Sequence, residues 1–184
     1  MAEIKVDKIG AATRQIELAI RLLFQNEDPI GIHTLAAAGF RILRDIGKAK
    51  NSEIHQCLAA VIKPEMQGIF WKVFSHAANF FKHADSDTDA ILEDVQEEVN
   101  DVLILFACFL YRDIESNWTP QMVAFVAWYV VIHPGFLDYL QDDPVLRQIV
   151  RNEDMSMIRG KSRDEQLSEG KMVLERAALL TKNI

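Results

Sequence analysis

Asp28-Pro29-Ile30-Gly31-Ile32-His33-Thr34-Leu35-Ala36-Ala37-Ala38-Gly39 opens as a helix and then loses its bulk. Aspartate suits the N-cap because its carboxylate accepts from the unpaired amides of the first turn. Proline fits the first helical position, where its missing N–H costs nothing. The pattern runs to about Ile46, with an end predicted near Gly47. Four small residues in a row, Ala36 to Gly39, let another backbone come close, so this helix is expected to be central.

Outward from this helix the same spacing recurs. Ile9, Ala12, Ile16, Ala19, Ile20 and Leu23 make one apolar stripe, which predicts a helix over about 6–25. Ser52 is read as the cap of a short helix to Ile62, and Pro64 as the start of another to about His83. After the break Asp85-Ser86-Asp87, a long helix is expected from Thr88 to Ile114, acidic in its first half and apolar in its second. Thr119-Pro120 starts a helix to Ile132, closed by His133-Pro134-Gly135. Short pieces at 136–140 and 145–150 precede a polar loop at 151–161. Ser162-Arg163-Asp164-Glu165 then fits a capping box for a last helix to about Leu180. No segment alternates with period two between turn signals. The predicted class is all-α: a single-domain helical bundle of six to eight helices, with a core at about 5–132 and a helical extension at 136–182.

Composition agrees. In 184 residues, 49% apolar content can fill a core and 26% charge can solvate the outside, while 8 glycines and 5 prolines are too few for a turn-rich β fold. The net charge of −7 repels a phosphate backbone at long range, which disfavours nonspecific nucleic-acid binding but says nothing of a local basic patch. Cys57 and Cys108 lie in apolar helical runs and read as buried thiols; a disulfide between them is the alternative. The N-terminus lacks the apolar core of a signal peptide. The longest apolar run, Val102 to Tyr111, is about half of the roughly 20 residues a bilayer requires. A cytoplasmic protein with no membrane partner is expected.

Chemistry-bearing side chains gather at one place. Asn79 and His83 are four apart and His76 is seven before His83, so an amide and two imidazoles share a helix side. Imidazole titrates near neutrality and suits general acid/base work, an amide orients a substrate, and Lys82 on a neighbouring face can hold a phosphate. The same residues have a plain structural account. Lysine and histidine near a helix C-terminus meet the dipole favourably, and Asn79 can bond a loop. Spacing alone leaves both readings open.

The block Asn79-Phe80-Phe81-Lys82-His83-Ala84-Asp85 resembles the signature of HEPN domains, small all-α proteins whose ribonuclease members carry Arg-Asn-x-x-x-His at a helix end. It is also similar to a block in certain bacterial proteins that share an earlier Ile32-His33-Thr34-Leu35-Ala36 segment. The resemblance implies metal-independent RNA cleavage at a homodimer interface, with His83 in proton transfer and Asn79 positioning. Ala78 stands where the family motif has arginine, so nothing in the motif itself supplies positive charge to a phosphoryl transition state. Lys82 is one substitute. Arg41 and Arg44, which share a face with His33, are others if the two helices pack together.

A metal site formed by His76, His83 and Asp85 is a further alternative. Asp85, Asp87 and Asp89 do not make a calcium loop, because the sixth position lacks glycine and the twelfth is Gln96. His33, His55 and His133 read as isolated core or surface histidines, and the three tryptophans as core or interface aromatics. No cofactor is expected. The leading expectation is a non-catalytic module that dimerises or binds a protein partner or ligand. The alternative is a HEPN-type ribonuclease using His83 and Asn79, for which RNA is the substrate, and the third is a metal-dependent activity.

Overall fold

The computed structural model describes residues 3–52, 75–83, 88–93, 96–133 and 155–181, and every regular element among them is helical. The helices are α1 (Lys8–Phe24), α2 (Pro29–Ala49), α3 (Glu98–Glu115), α4 (Pro120–Ile132) and α5 (Arg163–Thr181), with a 3-10 turn at Met155–Ile158. Residues 75–80 are also helical. The chain divides into two compact units, one holding residues up to Ala19 and 28–117, the other 20–27 and everything from Trp118. No helix among the described residues is long and apolar enough to cross a membrane.

In the first unit, α1 begins where Asp7 Oδ1 accepts from Gly10 N at 2.7 Å. Ala12, Ile16 and Ala19 on its apolar stripe are buried. Asp28 caps α2 as its chemistry requires, accepting from the amides of Ile30 and Gly31. The small run does what its size predicts. A Cβ on Gly39 would lie 2.8 Å from the Ile16 side chain and 3.2 Å from the Ala12 carbonyl oxygen, so only glycine permits this approach of α2 to α1. The buried faces of α2 and α3 pack together, with Ala36, Phe40 and Leu43 from one and Leu103, Ala107 and Leu110 from the other in the core.

Two boundaries differ from expectation. Helix α2 runs through Gly47 to Ala49, because Asn51 takes the left-handed conformation (φ 54°) and ends it. Ser52 N then donates to Gly47 O at 2.9 Å, and Asn51 N to Lys48 O at 3.3 Å, the paired bonds of a Schellman motif. Gly47 is a packing position, where a Cβ would sit 3.4 Å from Leu110. The second difference is that residues 88–93 and 96 are not helical, and α3 starts only at Glu98. Glu93/Glu97 and Asp94/Glu98 would be like-charge neighbours one turn apart, and the described residues there bury too little apolar surface to offset that repulsion.

The second unit is built on α4, capped by Thr119 and buried on nearly every side. Phe24, Phe125, Trp128 and Tyr129 form its aromatic centre; Phe24 meets Trp128 edge-on at 5.2 Å. The Trp128 indole N–H donates to Gln166 O at 2.7 Å, which satisfies the one polar atom of a fully buried ring. The capping box forms: Glu165 accepts from Ser162 N at 2.9 Å, and Glu165 N donates back to the Ser162 hydroxyl. The segment expected as a polar loop at 151–161 holds the 3-10 turn, because Ile158 packs into a small core with Val131. The expected helices at 52–62, 136–140 and 145–150, and most of that at 64–83, lie outside the described residues.

Candidate functional site

The helical residues 75–80 continue as a hydrogen-bonded turn. Phe81 N donates to Ala77 O and His83 N to Asn79 O, both at 3.0 Å, so Asn79 and His83 stand one turn apart. His76, Asn79, Lys82 and His83 are all exposed, while Ala78 is buried.

A cleft of about 170 Å³ opens beside this turn. Its walls carry Arg41 and Arg44 from α2, Ser75, Ala78, Asn79 and Lys82 from the turn, and apolar surface from Ala37, Phe40 and Leu103. Four of the six expected site residues therefore meet at one cavity, Arg41, Arg44, Asn79 and Lys82. His76 and His83 are not among its walls. The stripe that faces the cleft is Ser75, Ala78, Asn79 and Lys82, one residue out of phase with the stripe of His76, Asn79 and His83 expected from helical projection. Ser75 was not anticipated, although its spacing of three, four and seven to the other three would have placed it there.

Three cations around one small cavity repel one another, and an anion between them relieves that repulsion. Arg44 is partly engaged, its Nη2 and Nε bonding Asp45 Oδ1 at 2.9 and 3.2 Å. With side chains 33% and 61% exposed, this pair is worth no more than about 1 kcal/mol, which a bound anion can outbid. The cleft is thus suited to holding a phosphate or similar oxyanion, with the Asn79 amide available to orient it.

Against Phe81 of the same turn lies an arrangement that sequence reasoning missed. His33 is only 2% exposed, and its Nδ1 is 2.9 Å from Asn100 Oδ1. Asn100 Nδ2 donates to Pro29 O at 3.1 Å, which fixes the amide orientation and makes Nδ1 the protonated nitrogen of a neutral ring. Nε2 is then a buried acceptor with no hydrogen-bond partner among the described residues. The Phe81 ring packs nearly perpendicular to the imidazole, with centroids 5.6 Å apart. Burial, and then the charge on Lys82, hold the His33 pKa below its ordinary value against the opposing Asn100 bond. Position 33 could be read as buried from its spacing to Ala36, Ala37 and Phe40. Its partner, 67 residues away, could not.

Cys108 is a buried thiol on α3, its pKa pushed up by burial. Cys57 lies outside the described residues, as does Asp85 of the expected metal set. Among the described residues no group of three His, Cys, Asp or Glu side chains is placed to hold a metal ion. Compared with known proteins, the chain matches no family model, no curated protein and no solved structure.

Proposed function

We propose that this chain is a ligand-binding helical module whose first unit takes a phosphate-bearing ligand in the cleft between α2 and the 75–83 turn. The observation that carries this reading is the convergence of Arg41, Arg44 and Lys82 on one cavity beside Asn79, in a chain whose net charge is −7. The volume, below the roughly 300 Å³ of a typical small-molecule pocket, suits one phosphate group with the rest of the ligand outside. The test is equilibrium binding of inorganic phosphate and of a short oligoribonucleotide at several salt concentrations. Charge-assisted hydrogen bonds contribute about 1.5–3 kcal/mol, so Arg41→Ala should weaken binding by about tenfold or more. Affinity unchanged in a folded Arg41→Ala or Lys82→Ala protein, or no binding of either probe, rejects the reading.

A second reading, the HEPN-like ribonuclease acting as a homodimer, gains support from the same convergence. Arg41, Arg44 and Lys82 supply positive charge beside Ala78, where the family motif carries it on an arginine. His83, exposed and one turn from Asn79, would then move the proton. RNA cleavage in the presence of chelator, lost in His83→Ala and seen only at concentrations where light scattering reports a dimer, is its expected signature. Binding without turnover leaves the module reading alone, and turnover that needs added metal points instead to a metal-dependent activity.

A further inference from the structure

We propose that His33 is a proton-operated latch for the cleft: its neutral ring seats Phe81, and with it the turn carrying Asn79 and Lys82, on α2, and a proton taken up on Nε2 loosens that turn. The device does not depend on which anion the cleft takes.

The geometry supplies each part. The imidazole is committed on one side, where Nδ1–H donates to Asn100 and Asn100 in turn holds the Pro29 carbonyl at the start of α2. Its other nitrogen is buried and has no partner among the described residues, and such a buried polar atom calls for an explanation. An unprotonated nitrogen tolerates this position beside an aromatic ring, since a neutral acceptor loses only one water bond. A proton there would put a full charge and an unsatisfied donor where no acceptor stands among the described residues.

The surrounding charges reinforce the effect. From the turn, Lys82 opposes protonation. From α3 the contact is the neutral Asn100, with the buried Asp101 next to it in sequence. From α2 it is the Pro29 carbonyl, reached through Asn100. Phe81 lies between Asn79 and Lys82, so a shift of its ring moves residues that wall the cleft. Histidine is the side chain whose charge changes in the physiological range, and here that change is coupled to seating of the turn.

The test follows amide hydrogen exchange in the full chain between pH 7.5 and 5, corrected for the intrinsic rate. Phe81 and His83, whose amides donate to Ala77 and Asn79, report whether the turn is seated. Their protection should fall on acidification, by at most about tenfold per pH unit. In His33→Gln, neutral throughout and still able to donate to Asn100, the profile should be flat. Lys82→Met should move the wild-type midpoint to higher pH, a change that simple loss of packing would not produce. Should His33→Gln fail to fold, ring resonances of the wild-type protein decide: His33 must take up its proton over the same pH range in which protection is lost. Flat wild-type protection, an undiminished pH profile in His33→Gln, or a His33 ring that stays neutral while protection falls would overturn the proposal.

Discussion

The two units bury different things. Around α4, in the second, the centre is aromatic and aliphatic, and the Trp128 N–H within it is satisfied by Gln166. Between α2 and α3, in the first, His33, Asn100 and Asp101 are each only 2% exposed, and one imidazole nitrogen has no hydrogen-bond partner among the described residues. A buried polar group costs stability unless it is fully paired, so an incompletely paired one against the turn that walls a cationic cleft points to use, whereas the second centre is explained by aromatic packing with a satisfied indole. This contrast can be broken or sharpened by substitution.

The largest effect is expected in the aromatic centre. Trp128→Ala should cost about 3–5 kcal/mol, read as a shift in the denaturant midpoint, because it removes a wholly buried ring against Phe24 and Phe125. Next come the two close approaches. A Cβ on Gly170 would fall 2.2 Å from the Phe24 ring, and one on Gly39 2.8 Å from Ile16. Gly170→Val and Gly39→Val should each cost about 1–3 kcal/mol through overpacking. If Gly39→Val is neutral, the small run on α2 is not what lets α1 approach.

Those approaches also show how far the sequence can be read. Asp28, Thr119 and the Ser162–Glu165 box were legible because a cap is local chemistry, settled within four residues. The end of α2 was not, because Gly47 looked like the terminator while Asn51 supplies the left-handed residue. The acidic stretch before Glu98 carried helical spacing but lacked buried surface to hold it. The turn at 75–83 was legible as a place where chemistry gathers, and Arg41 and Arg44 as cations that would reach it if the helices packed. Which side of the turn faces the cleft depends on tertiary packing among α2, α3 and the turn, so projection set Asn79 with His76 and His83 where the cavity sets it with Ser75 and Lys82.

Smaller effects sharpen the polar side of the comparison. Asn100→Ala strips the partner from His33 Nδ1–H and from the Pro29 carbonyl, and should cost about 1–3 kcal/mol in thermal unfolding. Acidification should act in the same sense. His33 is neutral in both states above its ordinary value of about 6.5. As the pH falls below that value, the unfolded chain takes the proton and the folded one, with its lowered pKa, resists. Stability is therefore lost as the pH drops from about 6.5 toward the folded pKa, by at most about 1.4 kcal/mol per pH unit. His133, lowered by burial and then by Arg163, adds a slope of the same sign in the second unit. Unfolding titrations of His33→Gln and His133→Asn should each remove part of it. The smallest change in stability, within about 1 kcal/mol, is expected for Asp45→Ala, which removes an exposed ion pair with Arg44.

The cleft itself is tested most directly by adding inorganic phosphate to the isotope-labelled full chain and following each amide and arginine side chain by NMR. The account predicts saturable shifts centred on Arg41, Arg44, Asn79 and Lys82, weakening as salt is raised. Shifts that do not saturate, or that centre on the second unit while these four stay still, would contradict it.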